Sequence, residues 1–245
     1  MSPDELVSRS AWQQARRKMS RREVCTDGGR CAPSKSPYDK REAMLDPLAP
    51  SIVDFWFVPR EGETVRGEPT SPRQRVTRDP WFRKDDAFDA EIRARFGVAL
   101  AAGLAGAYGD WCREPMGCLA RVVLLDQLTR NAFRGTPQAF AGDAGALATA
   151  EDALERRFDR SLAPQERWFL YMPFVHSESL AQQDRAVALF EALAGETSLD
   201  EPLPWTIRHR DIVRRFGRFP HRNEILGRAS TPDEIAFLKE PGSRF

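Results

Sequence analysis

The stretch DDAFDAEIRARFGVALAAGL, Asp85 to Leu104, decides the fold class. Phe88, Ile92, Phe96 and Leu100 recur at steps of four, which gathers them on one face of a helix. Asp85, Asp86 and Asp89 crowd its start, where the helix dipole is positive and acids are stabilising. The stretch predicts a helix of about 20 residues from Asp85 to about Leu104. Upstream, SIVDFWF (Ser51–Phe57) follows Pro50 and sets Ile52, Phe55 and Trp56 at i, i+3 and i+4, with Ser51 as the expected N-cap. Between the two lies a polar stretch from Pro59 to Pro80 carrying Gly62, Gly67, Pro69 and Pro72. It reads as a long surface loop with a mobile tip.

Downstream the punctuation of helices continues. Pro115 opens a helix from Met116 to about Phe133, with Leu119, Val122, Val123, Leu125 and Leu128 on a broad apolar face and Gly135 as its C-cap. Asp143 is placed to cap a helix carrying Leu147, Leu154 and Phe158, and Pro164 takes a first-turn position ahead of Trp168, Phe169, Tyr171 and Met172. Pro173 ends or kinks that run near His176. Ser179 with Gln182 three residues on predicts a capping box, and Gly195 is expected to stop the helix that follows. A helix from Trp205 to Phe216 closes on Gly217, and Thr231-Pro232-Asp233-Glu234 is a second capping box before Ile235, Phe237 and Leu238. No alternating strand pattern of convincing length interrupts the series. The class is all-α, a compact bundle of helical hairpins joined by short loops.

Composition agrees. The 245 residues are 41% hydrophobic and include six Trp and fifteen Phe, enough for a core that buries roughly 70% of the unfolded surface. Lys and Arg number 37 against 36 Asp and Glu, a formal charge of +1, so no nucleic-acid partner is expected. No apolar run reaches the ~18 residues of a membrane span, and the polar start lacks a secretory h-region. A soluble, cytoplasmic protein with no membrane partner is the expectation.

Residues 1–43 differ in kind, with ten Lys/Arg against six Asp/Glu, the run RRKMSRR (Arg16–Arg22) and few large apolar side chains. They read as a disordered basic leader, or as sequence ahead of a start at Met44, with 44–245 a single all-α domain. Organellar targeting is the weaker alternative, because Asp4, Glu5, Glu23 and Asp27 are more acid than transit peptides tolerate. Cys25 and Cys31, and Cys112 and Cys118, are each separated by five residues, which is neither a zinc-knuckle nor a redox CxxC spacing; free thiols are expected.

Three polar clusters interrupt the packing pattern. The first is the stripe Asp126, Gln127, Arg130, Asn131 and Arg134 on the Met116 helix. Glu178 and His176 fall in the break between two helices, with Gln183 in the first turns of the next, where side chains and free amides converge. The third runs from His209 through Arg218, His221 and Arg222 to Asn223, with aromatic walls in Phe216 and Phe219. Arginine forks suit carboxylate or phosphate, asparagine amides fix orientation, and a histidine carries a proton near pH 7. For each cluster the alternative is structural, as ion pairs, caps and satisfied histidines. A zinc or iron site from His176, His209, His221 and an acid lacks a pre-organising spacing, so no metal and no cofactor are expected.

LLDQLTRNAFRGTPQAFAGD (Leu124–Asp143), YMPFVHSESLAQQDRAVALFEAL (Tyr171–Leu193), RHRDIVRRFGRFPHRNEILGRASTPDEIAFL (Arg208–Leu238) and the DFWF near the start together resemble the uncharacterised family named domain of unknown function 924. The likeness runs from about Pro47 to Leu238. It implies a compact all-α fold similar to a tetratricopeptide-like superhelix, with no established activity, although no 34-residue repeat is visible in the chain. The family's recurring motifs fall on the same three clusters. Gln182 stands where members often carry an acid, and the basic leader lies outside the family body.

These readings converge on a small anionic molecule held in a polar cleft, with Arg130, Arg134, Arg218 and Arg222 on the anion, Asn131 and Asn223 fixing orientation, and His176 or His221 supplying a proton. Two alternatives stand beside it. One is an interaction module whose helical hairpins present a basic face to an acidic peptide or a C-terminal carboxylate. The other is an acid–base enzyme, a hydrolase or isomerase acting on an anionic metabolite, with His176, Glu178 and His221 as its catalytic candidates. Neither a nucleophile motif nor a glycine-rich phosphate loop singles out a reaction.

Overall fold

The computed structural model describes residues 46–63, 65–66, 77–81, 83–197 and 199–243, so the leader and its cysteines lie outside the described residues, as does the tip of the loop near 59–80. The described chain is mostly helical, as the apolar periodicity requires. In chain order the helices are α1 (Leu48–Phe57), α2 (Asp86–Leu104), α3 (Pro115–Val122), a π-helical segment (Val123–Leu128), α4 (Thr129–Ala132), α5 (Asp143–Glu155), α6 (Pro164–His176), α7 (Leu180–Thr197), α8 (Pro202–Phe216) and α9 (Pro232–Phe237). They run from four to nineteen residues and are broken by short 3-10 turns, unlike the uniform pairs of a tetratricopeptide array. Among the described residues no helix is long and apolar enough to cross a membrane.

The main core follows the sequence stripes. Ile52, Trp56 and Phe57 of α1 and Ile92, Phe96 and Leu100 of α2 are almost fully buried, together with Leu119, Val122 and Leu124. Phe169 of α6 sits at the hub, with ring centroids 5.5 Å from Trp56, 5.3 Å from Phe57 and 4.5 Å from Trp81, all in the edge-on arrangement that aromatic quadrupoles favour. A smaller core of Ile212, Val213, Phe219 and Phe237 joins α8 to α9.

Several element ends depart from expectation. Ser51 lies inside α1 and does not cap it: the helix starts a turn earlier, after Pro47, with Asp46 accepting the Leu48 N–H at 3.0 Å. The loop after α1 is tied down: Val65–Arg66 and Thr77–Arg78 pair as a two-residue antiparallel ladder, which delivers a fully buried Arg78. Arg78 forks onto Glu63 at 2.5 and 2.6 Å and donates to the carbonyls of Phe55 and Trp56. Pro173 is accommodated inside α6, and α7 runs past Gly195 to Thr197. Gln182 turns its amide to Glu151 rather than closing a capping box on Ser179. The Thr231 box forms as expected, with Glu234 N–H donating to Thr231 Oγ1 at 3.2 Å and Thr231 N–H to Glu234 at 2.7 Å. Gly217, at φ +70, closes α8 in the left-handed conformation that glycine tolerates best.

Candidate functional site

The helix that opens at Pro115 does not stay α-helical. From Val123 to Leu128 it widens into π-helix, and Thr129 supplies both its N–H and its hydroxyl to the Leu124 carbonyl five residues back. This widening lies where Asp126 and Gln127 turn inward. Gly142 makes the opposite approach: an added Cβ there would lie 2.1 Å from the Leu125 carbonyl oxygen, so only glycine lets the start of α5 come so close. Asp143 is therefore the first residue of α5, with Gly142 as N-cap. Its carboxylate faces the site instead of capping the helix.

At the centre Asp126, with no exposed surface, meets His176 Nδ1 at 2.7 Å. Arg130 Nη2 spans two carboxylates, 3.3 Å from Asp126 and 2.7 Å from Asp143. Arg222 donates to the other Asp143 oxygen at 3.3 Å and to the His176 carbonyl at 2.9 Å. Both guanidinium groups lie over the Phe140 ring, at 5.3 and 4.8 Å, and Arg222 also over Phe219 at 4.6 Å. Arg130, His176 and Arg222 thus come together from the three sequence clusters.

Burial alone would raise the Asp126 carboxyl, but His176, Arg130 and the Gln127 amide, which donates at 2.5 Å, outweigh it and hold the group at about 2. Burial and the Arg130 charge push His176 below the usual imidazole value, against the pull of Asp126. At pH 7 His176 is a neutral ring that gives its Nδ1–H to Asp126 and keeps a lone pair on Nε2, which has no partner among the described residues. Asp143 is shifted the other way, raised by burial against the opposing pull of Arg130. Burial and Arg130 bring Arg222 down to about 10, so it remains a cation. Next to it, burial holds His209 and His221 down at about 3, and both rings lie 5.6 Å from Phe219.

Apart from Gln183, the remaining candidates serve two braces, one on Asp89 and one around the turn after α8. Asn131 and Arg134 both bind Asp89 of α2, the amide at 2.8 Å and the guanidinium at 2.7 and 3.0 Å. Glu178 is held by an Arg228 fork at 2.7 and 2.9 Å and by the Phe219 N–H at 2.8 Å, so Asp126, not Glu178, orients His176. Arg218 forks onto Glu234 at 2.7 and 2.8 Å, and Asn223 donates to the same carboxylate at 3.2 Å. Gln183 secures the α6–α7 break by donating to the carbonyls of Val175 and Ser177 at 2.6 Å. Sequence reasoning missed Asp89, Phe140, Arg228 and Glu234 as partners and took Asp143 for a cap. For Asp89 there was a signal: it stands three residues before Ile92 and seven before Phe96, on the buried side of its helix.

The arrangement offers a neutral base backed by a buried carboxylate, beside two shielded guanidiniums that share a second, weaker carboxylate. Among the described residues no three His, Cys, Asp or Glu side chains gather to hold a metal ion.

Comparison places the fold among known relatives. A protein of unknown function from Agrobacterium tumefaciens, ATU0120, has a solved structure that is similar at a TM-score of 0.65 and 40% identity, over 78% of this chain and 97% of that one. No functionally curated relative matches. The family described as "Bacterial protein of unknown function (DUF924)" matches residues 52–242, which carry the whole site, and the chain belongs to that family.

Proposed function

We propose that the protein binds a small anionic molecule where Arg130, Asp143, His176 and Arg222 meet, and that His176 exchanges a proton with it through Nε2. The observation that carries this reading is the Asp126–His176 hydrogen bond of 2.7 Å, which ties up Nδ1 and leaves a neutral, basic Nε2 beside Arg130. A buried carboxylate that orients imidazole and stabilises its protonated form is the usual equipment of a general base. The charges balance, two guanidiniums against two carboxylates; because burial raises Asp143, its carboxylate is the more easily neutralised of the two, and its protonation leaves a net positive site for an anion. An arriving carboxylate or phosphate takes over the role of Asp143 as their shared acceptor. The exposure of the two arginine side chains, 18% and 7%, suits an enclosed small molecule better than a peptide along an open groove. Acid–base conversion of that molecule, as hydrolysis or isomerisation, is the activity such a base serves.

Thermal denaturation of the full chain in rising inorganic phosphate and succinate tests the reading. A ligand at about 100 times its dissociation constant stabilises by about 2.7 kcal/mol, so saturable stabilisation by at least one anion is expected. Arg130→Gln and His176→Ala, if folded, are expected to weaken it tenfold or more. Equal stabilisation of wild type and both variants, or none by either anion, contradicts the proposal.

A further inference from the structure

Away from this site, two thiols and an arginine form a second reactive arrangement. Cys112 lies in the 3-10 turn Gly109–Arg113, half-buried, and Cys118 in α3, fully buried; both are free. The two thiols lie within hydrogen-bonding reach of each other. Arg121, one turn beyond Cys118, directs Nη1 to Cys112 Sγ at 3.8 Å and to Thr149 Oγ1 at 3.0 Å, and its Nε is buried with no acceptor. Among the described residues no carboxylate pairs with Arg121. Asp152 of α5 is taken by Arg156, 3.0 Å away, and Arg156 also donates to the Cys112 carbonyl. A shielded guanidinium without a counter-ion is costly, and a thiolate at Cys112 supplies the missing negative charge.

We infer that Cys112 and Cys118 form a peroxide-responsive dithiol, with Cys112 the attacking thiolate and Cys118 the resolving thiol. The Cys112 thiolate attacks one oxygen of hydrogen peroxide, the S–O bond forms as the O–O bond breaks, and the departing hydroxide takes up a proton as water. Sulfur loses two electrons and peroxide gains them. Cys118 then attacks the sulfenic sulfur, its proton leaves with the hydroxyl as a second water, and the S–S bond closes. Two thiols and one peroxide yield one disulfide and two waters. The charges around the pair agree: the Cys118 hydrogen bond and Arg121 hold Cys112 at about 6 against burial and Asp152, while Cys112 and burial push Cys118 far up, opposed by Arg156.

Alkylation of the full chain with iodoacetamide from pH 5 to 9, read by peptide mass spectrometry that separates Cys112 from the other three cysteines, tests the first step. Cys112 is expected to react with a midpoint near pH 6 instead of the about 8.5 of an ordinary thiol. Arg121→Gln is expected to raise that midpoint by a unit or more, which a merely structural arginine would not do. Stoichiometric hydrogen peroxide is expected to give a Cys112–Cys118 cross-linked peptide in the wild type, and dimedone-labelled Cys112 in Cys118→Ser. An ordinary midpoint at Cys112, or no Cys112–Cys118 disulfide in the wild type, overturns the inference.

Discussion

Replacing Asp126 by Asn keeps the shape of the side chain and removes its charge. Three donors converge on this carboxylate, from Gln127, Arg130 and His176, and an amide has a single oxygen to offer them. Truncating one partner of a buried ion pair costs about 3–5 kcal/mol. Linkage gives a second figure: a carboxyl held at about 2 in the fold against 3.8 in the free chain contributes about 2 kcal/mol. The sign follows from the depressed value. This contribution is complete above pH ~4 and disappears as the pH falls toward 2. Urea denaturation is the assay; with a slope of ~2–3 kcal/mol per molar, 3–5 kcal/mol lowers the midpoint by about 1–2.5 M at pH 7. The gap between wild type and variant is expected to narrow below pH 4. A loss under about 1 kcal/mol at pH 7, or a gap that does not narrow in acid, would refute the reasoning.

Gly142→Ala forces a Cβ to within 2.1 Å of the Leu125 carbonyl oxygen, so the urea midpoint should report a loss of about 1–3 kcal/mol; a neutral effect would mean the two segments are not in contact. Arg78→Met strands Glu63 and two carbonyls, with an expected cost of about 3–5 kcal/mol, and Arg78→Lys should rescue little, because one ammonium cannot reproduce the fork; full rescue by Lys contradicts the geometry. His176, His209 and His221 are all held below their ordinary value, so the unfolded chain binds protons that the fold refuses. Stability should therefore fall as pH drops from 6.5 toward 3, by at most ~1.4 kcal/mol per pH unit for each histidine, and His221→Gln should flatten the slope; pH-independent urea midpoints over this range would contradict it.

The all-α class was legible because apolar stripes and caps are local signals. The spacing from Phe88 to Leu100 and the Thr231–Glu234 box each specify their element without reference to the rest of the chain. The π-helical segment was not, since the apolar run Val122–Leu125 satisfies an α- or a π-turn equally, and the widening depends on what packs around Asp126. Nor was the burial of Arg78, which sits in a stretch whose prolines and glycines read as solvent loop, and whose carbonyl acceptors, Phe55 and Trp56, belong to α1. The site divides along the same line. The residue types were visible as polar breaks in the packing, but their division into one convergent cluster and two braces rests on Asp89, Asp143, Arg228 and Glu234. Asp89 lies 45 residues from Arg134, Asp143 lies 79 from Arg222, Arg228 lies 50 from Glu178 and Glu234 lies 16 from Arg218.

The braces also bear on function. Arg218–Glu234 and Arg228–Glu178 fix the turn that carries His221 and Arg222, while Arg134–Asp89 fixes the far end of α4. The arginines and histidine of the proposed site are thus held by neighbouring ion pairs, the preorganisation that the proposed binding and proton transfer need.

Nitrogen-15 NMR of the histidine rings in the full chain, with His176 assigned through His176→Gln and phosphate titrated at pH 7, tests the central claim most directly. The account predicts a neutral His176 protonated on Nδ1, with an Nε2 resonance that moves saturably as phosphate binds. A His176 that is protonated on Nε2, charged at pH 7, or unmoved at saturating phosphate and succinate would contradict it.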